Sequence, residues 1–190
     1  MKKLILINLS CCFISCTSNI KPASLPDNHE LFPVNLFLKG QVHVIDSLKL
    51  PVHKYSTVDT KTDSALISRE EFDSLANEFI EPDINNPTIK KFYNETSFAD
   101  QSIPAVTFTY STLNKDLPLQ RVDVIVNPDP VLNDQVKSIY LEKIINTRDT
   151  SVIKKLYWKT NKYFQIITSK QASGQPPTFS EVKVAWNAAD

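Results

Sequence analysis

The feature that most constrains this chain is a change of hydrophobic period near Ala105. From there on, apolar residues recur at every second position. Val106, Phe108 and Tyr110 alternate with Ala105, Thr107, Thr109 and Ser111, and Val122, Val124 and Val126 alternate with Arg121 and Asp123. A period of two puts one set of side chains on a single face of a strand. Further strand-like runs cover Val136–Ile145, Val152–Lys159, Tyr163–Thr168 and Glu181–Trp186. Thr160-Asn161 reads as a tight hairpin turn, and Pro128 and Pro130 bound a longer connection. Connections this short leave no room for crossover helices, so the strands must run antiparallel in a meander.

Before Ala105 the pattern is different. Leu31–Leu48 carries a helical stripe of Phe32, Leu36, Val42, Ile45 and Leu48, with Pro33 near its start and Pro51 beyond its end. His53–Val58 and Ser64–Ile67 read as a small hairpin across Asp59-Thr60-Lys61-Thr62. Ser68-Arg69-Glu70-Glu71 has the form of a capping box, in which the serine oxygen accepts from a free helix N–H. Phe72, Leu75, Ala76, Phe79 and Ile80 follow at helical spacing until Pro82, and Lys90–Tyr93 adds a short helical turn. The expectation is an α+β fold: N-terminal helices and a small hairpin, then an antiparallel meander of about six strands packed against the helices.

Composition removes several function classes. The chain has only two glycines, Gly40 and Gly174, whereas phosphate-cradling loops and nucleophile elbows need several. A P-loop, a dinucleotide fingerprint and a Gly-x-Ser-x-Gly hydrolase motif are absent. Lysine and arginine together number 21, as do aspartate and glutamate, which argues against a generic nucleic-acid binder. Charge is unevenly distributed, with seven bases against two acids between Lys137 and Lys162. Such a run could face anionic headgroups, although lysine on exposed strands is the ordinary way to keep sheets soluble.

Few side chains suggest chemistry. His29, His43 and His53 do not sit at metal-ligand spacings, and Asp27-Asn28-His29-Glu30 reads as the cap of the first helix rather than a metal site. Glu95 and Asp100 are a carboxylate pair in type, but turns and strand ends account for most such pairs. Trp158 and Trp186 fall on the apolar phase of their strands. They could line a wall that holds an apolar ligand, while packing in the core is the favoured reading. No catalytic residue, metal ligand or cofactor is expected, and the chain reads as a non-enzyme.

The N-terminus carries the clearest address. Lys2 and Lys3 precede an apolar stretch from Leu4 to Ile14, and Ser15 precedes Cys16. The stretch is shorter than the roughly 20 residues that span a bilayer, and with its basic flank it reads as a cleaved signal. Phe13-Ile14-Ser15-Cys16 resembles the lipobox of bacterial lipoproteins, in the looser form common in the Bacteroidota. The resemblance implies that Cys16 is the lipid attachment site. Its acyl chains would hold the protein, each buried CH₂ contributing about 0.8 kcal/mol. The other reading is an ordinary secretory signal in which Cys16 is incidental. Cys11 and Cys12 would leave with residues 1–15, so Cys16 would be the sole thiol of the exported chain.

Residues 16–28 then form a lipidated tether and residues 29–190 a single domain. The segments Asp63-Ser64-Ala65-Leu66-Ile67-Ser68-Arg69-Glu70-Glu71-Phe72 and Leu117-Pro118-Leu119-Gln120-Arg121-Val122-Asp123-Val124 are similar to small uncharacterised Bacteroidota lipoproteins. That resemblance implies a periplasm-facing protein anchored to the bacterial outer membrane. Three functions are open: a non-catalytic interaction module of the cell envelope that meets a protein partner, a carrier or sensor of an apolar ligand in a cavity under a curved sheet, and an envelope hydrolase. Nucleic acid is not an expected partner.

Overall fold

The computed structural model describes residues 30–100, 102, 104–128 and 135–186. Among these residues there are three helices, α1 (Val34–Ser47), α2 (Arg69–Ile80) and the single turn α3 (Pro87–Lys90). Nine strands follow or interleave with them: β1 (His53–Val58), β2 (Lys61–Leu66), β3 (Tyr93–Asp100), β4 (Ala105–Thr112), β5 (Leu119–Asn127), β6 (Gln135–Asn146), β7 (Thr150–Lys159), β8 (Tyr163–Ala172) and β9 (Thr178–Ala185). All nine belong to one sheet, in the order β2-β1-β9-β8-β7-β6-β5-β4-β3, and every pairing is antiparallel.

This corrects the expected α+β architecture. The fold is dominated by its sheet, with 52% of the described residues in strands and 20% in helices. Two findings account for the difference. The β1–β2 hairpin is not a separate element, because β1 pairs along its length with β9, from His53↔Ala185 to Val58↔Ser180. The helical turn expected at Lys90–Tyr93 lies earlier, at Pro87–Lys90, and residues 93–100, to which the sequence assigned no strand, form one. Strand β3 is an edge strand exposed over most of its length, so it has no apolar phase to betray it.

Local chemistry sets the element ends. Ser68 Oγ accepts from the Glu71 amide at 3.2 Å, and Glu70 and Glu71 occupy the first turn of α2, where carboxylates favour the positive helix end. Asn86 accepts from the Thr88 amide to start α3. The β1–β2 turn holds Asp59 at φ 54°, and the β7–β8 turn, Thr160 to Lys162, holds Asn161 at φ 60°. Gly174 meets the same demand between β8 and β9, at φ 71°. Helix α1 starts later than the sequence suggested. Its N-cap is Pro33, without a side-chain cap; Asp27, Asn28 and His29, expected to cap it, lie outside the described residues.

The α1 stripe also differs. Leu36 and Leu48 point outward, while Val34, Asn35, Leu38 and Ile45 are buried. Asn35 turns inward because its side-chain amide donates to the Ile80 carbonyl at the end of α2, which ties the two helices together.

The core lies between α1, α2 and one face of the sheet. Directly paired residues share a face. One inward row runs Phe108, Val124, Ile139, Trp158, Phe164 and Val184 across β4 to β9. A second runs Tyr110, Val122, Leu141, Leu156, Ile166 and Val182. Phe79 of α2 sits 5.2 Å from Trp158 and 5.1 Å from Phe164, ring centre to ring centre, and Phe72 lies 6.0 Å from Trp186. Trp158 stacks on Phe164 at 5.1 Å. Edge-to-face and offset pairs at these separations add to what burial alone supplies.

Candidate interaction surface

Among the described residues, no helix covers the opposite face of the sheet. Its central row is, in register from β4 to β1, Thr109, Asp123, Tyr140, Tyr157, Gln165, Lys183 and Tyr55. At a strand spacing of about 4.8 Å this row spans roughly 30 Å. On one side lies the row Arg121, Glu142, Lys155, Ile167, Glu181 and Thr57. On the other lie Ser138, Lys159, Tyr163, Ala185 and His53. Beyond Lys155, the row Ile144, Ile153, Ser169 and Phe179 ends the face.

The tyrosines form a partly buried layer. Tyr157 and Tyr163 are 6.0 Å apart between ring centres, and the Lys183 ammonium lies over the Tyr163 ring at 4.5 Å. The Tyr140 hydroxyl donates to Glu142 at 3.0 Å. Burial, and then that bond to a carboxylate, push the Tyr140 phenol up to about 12. Arg121 Nε reaches both Asp123 oxygens, at 2.9 and 3.0 Å, and Asp123 also accepts from the Thr109 hydroxyl at 2.7 Å. Asp123 and Glu142 are therefore engaged within the face.

The basic run between Lys137 and Lys162 is divided by the alternation of its strands. Lys143 and Lys154 point inward to α2: Lys143 donates to the Glu78 and Glu81 carbonyls, and Lys154 pairs with the Glu78 carboxylate at 2.8 Å. Lys155 and Lys159 occupy the open face. Among the described residues, no carboxylate lies within ion-pair distance of Lys155, Lys159 or Lys183.

The residues singled out in the sequence are distributed as follows. Cys16, the proposed signal and tether, and His29 lie outside the described residues. Glu95 and Asp100 do not converge. They are five positions apart on β3, so they point to opposite faces and stand roughly 17 Å apart along the strand. Asp100 holds the Ser102 amide and hydroxyl, at 2.8 and 2.6 Å, a turn role. Trp158 and Trp186 are buried in the core, in ring contact with each other at 5.3 Å. His43 lies on the exposed side of α1, and His53 is on the helix-free face. Among the described residues, no helix is long and apolar enough to cross a membrane.

The tyrosine layer was not anticipated. Its sequence signal is phase: Tyr157 sits beside Trp158 on the polar phase of β7, and Tyr140 beside Ile139 on that of β6. A large aromatic residue placed repeatedly on the solvent phase of an amphipathic strand marks a face with work to do.

No protein-family model matches the chain, and neither a curated protein nor a solved structure is similar to it.

Proposed function

We propose that this chain is a membrane-anchored periplasmic lipoprotein, held through Cys16 at the bacterial outer membrane, whose folded part is a non-catalytic interaction module of the cell envelope. The observation that carries the reading is the helix-free face, where half-buried tyrosines interleave with lysines that have no carboxylate partner among the described residues. Tyrosine supplies rigid contact area with a polar tip, which suits a surface that meets something else. The lipid anchor rests on the lipobox-like Phe13-Ile14-Ser15-Cys16 and on the loss of the other two cysteines with the signal.

The carrier reading is the weaker one. The aromatic residues that would line a cavity beneath the sheet are instead packed against one another, with Trp158, Phe164, Phe72 and Phe79 fully buried. The carboxylates that would serve a hydrolase, Glu95 and Asp100, are held apart by β3.

Two measurements test the proposal. Cells fed a labelled fatty acid should label the parent protein and not Cys16→Ala, and equal labelling would remove the anchor. Native purification with the anchor intact, followed by mass spectrometry, should recover a protein or lipid at stoichiometric level. Recovery of neither would remove the interaction module.

A further inference from the structure

We infer that the β6–β9 part of the helix-free face docks on an anionic lipid bilayer, so that the anchored domain lies against the membrane on this side. The inference rests on the anchored reading above and names the surface that this face meets.

Three side-chain classes occupy this corner in the sequence that a bilayer interface demands. Ile153, Ile167 and Phe179 are exposed at its end, with Phe179 57% accessible. They are neighbours by register: Phe179 pairs with Ser169, which pairs with Ile153, and Ile167 lies diagonally between them. Next come Lys155, Lys159 and Lys183, long stems with cationic tips. Among them stand Tyr157 and Tyr163, whose rings are apolar and whose hydroxyls are polar. Apolar groups at the acyl boundary, tyrosines at headgroup depth and lysines reaching phosphates are the layering of interfacial segments.

The lysines favour lipid over a protein partner. Protein interfaces are depleted in lysine at their centres, whereas each lysine near an anionic leaflet contributes about 1 kcal/mol. The carboxylates nearby do not cancel them all. Arg121 offsets Asp123, whereas Glu142, opposite Lys155 and bonded by the neutral Tyr140 hydroxyl, keeps its charge, so two carboxylates stand against three lysines. Glu181 remains on the same face, beside Ile167.

The test uses the full chain recovered from the envelope and reconstituted with vesicles of phosphatidylcholine alone or mixed with phosphatidylglycerol. An environment-sensitive dye is attached through Ser169→Cys, inside the apolar row, or through Leu36→Cys, on the exposed side of α1. Docking predicts a blue shift at position 169 on phosphatidylglycerol vesicles and none at position 36. Lys155→Gln, Lys159→Gln and Lys183→Gln should each lower the docked-to-free ratio about fivefold. Phe179→Ser should weaken the shift without lowering the melting temperature, since that side chain is exposed.

If the protein sits on both vesicle types and the dye at 169 stays aqueous, docking is overturned and the anchor stands. If it binds only phosphatidylglycerol vesicles and the dye shifts, docking stands and the anchor falls. Binding to neither overturns both. A shift at 169 that appears equally on phosphatidylcholine, untouched by the lysine changes, overturns the anionic assignment.

Discussion

Lys143 and Lys154 face each other directly across β6 and β7, and both reach the C-terminal end of α2. Two like charges side by side would repel in an open sheet. Here each has its own partner: backbone carbonyls for Lys143 and a carboxylate for Lys154. Lys143 caps α2, whose last carbonyls need donors, and Lys154 adds an ion pair that pins the helix to the sheet.

Lys143→Met should therefore destabilise the domain by about 1–3 kcal/mol, because it strips donors from the last carbonyls of α2. Burial holds the Lys143 ammonium below its ordinary pKa. The unfolded chain thus binds more protons than the folded one between the folded value and 10.5, and stability rises with pH across that window. Urea midpoints measured from pH 7 to pH 9.5 should climb more in the parent than in Lys143→Met. A parallel pair of curves would contradict this.

Tyr93, Tyr110 and Tyr140 have phenols pushed up to about 12, in each case chiefly by burial. In the unfolded chain they would ionise near 10, so their contribution to stability is complete below pH 10 and is lost as pH rises towards 12. Burial raises the Tyr163 phenol as well, so absorbance titration should show four of the six tyrosines ionising late, together with alkaline unfolding. Tyr93→Phe removes the bond its hydroxyl makes to the Leu119 carbonyl at 2.6 Å and should cost about 1 kcal/mol at neutral pH.

Phe79→Ala and Trp158→Ala should each cost about 3–5 kcal/mol, since both rings are fully buried and touch each other. Trp158→Phe should cost clearly less. The Trp158 Nε1 has no acceptor among the described residues, so phenylalanine loses volume but no hydrogen bond. Chemical denaturation of the three variants decides it, and equal losses for Trp158→Phe and Trp158→Ala would contradict the packing argument.

Ser68→Ala should lower stability by about 1 kcal/mol, through loss of the bond that starts α2. Ser68→Asp should restore it. A melting curve for each variant is sufficient.

Strands β4 to β9 were legible because each buries one face, and alternation is what one-sided burial writes into a sequence. Strand β3 was not, because an exposed edge imposes no such pattern. The start of α2 was legible from Ser68 and Glu71 alone, since capping is local chemistry. The burial of Asn35 was not, because its partner, the Ile80 carbonyl, belongs to another helix. The helix-free face escaped notice for a related reason. Its tyrosines and lysines become a surface only when the register between β6, β7, β8 and β9 brings them side by side, and register between strands is a property of the whole sheet.

The pairing of β1 with β9 has a temporal consequence. A chain made from its N-terminus presents the β1–β2 hairpin early, yet the strand that hairpin needs is the last one formed. Until residues 178–185 arrive, β1 and the six-strand meander of β3 to β8 both present open hydrogen-bonding edges. Completing the sheet requires closing a loop of almost the whole domain, the kind of contact that slows folding most. A protein built this way depends on being kept apart from its neighbours until its final strand is in place.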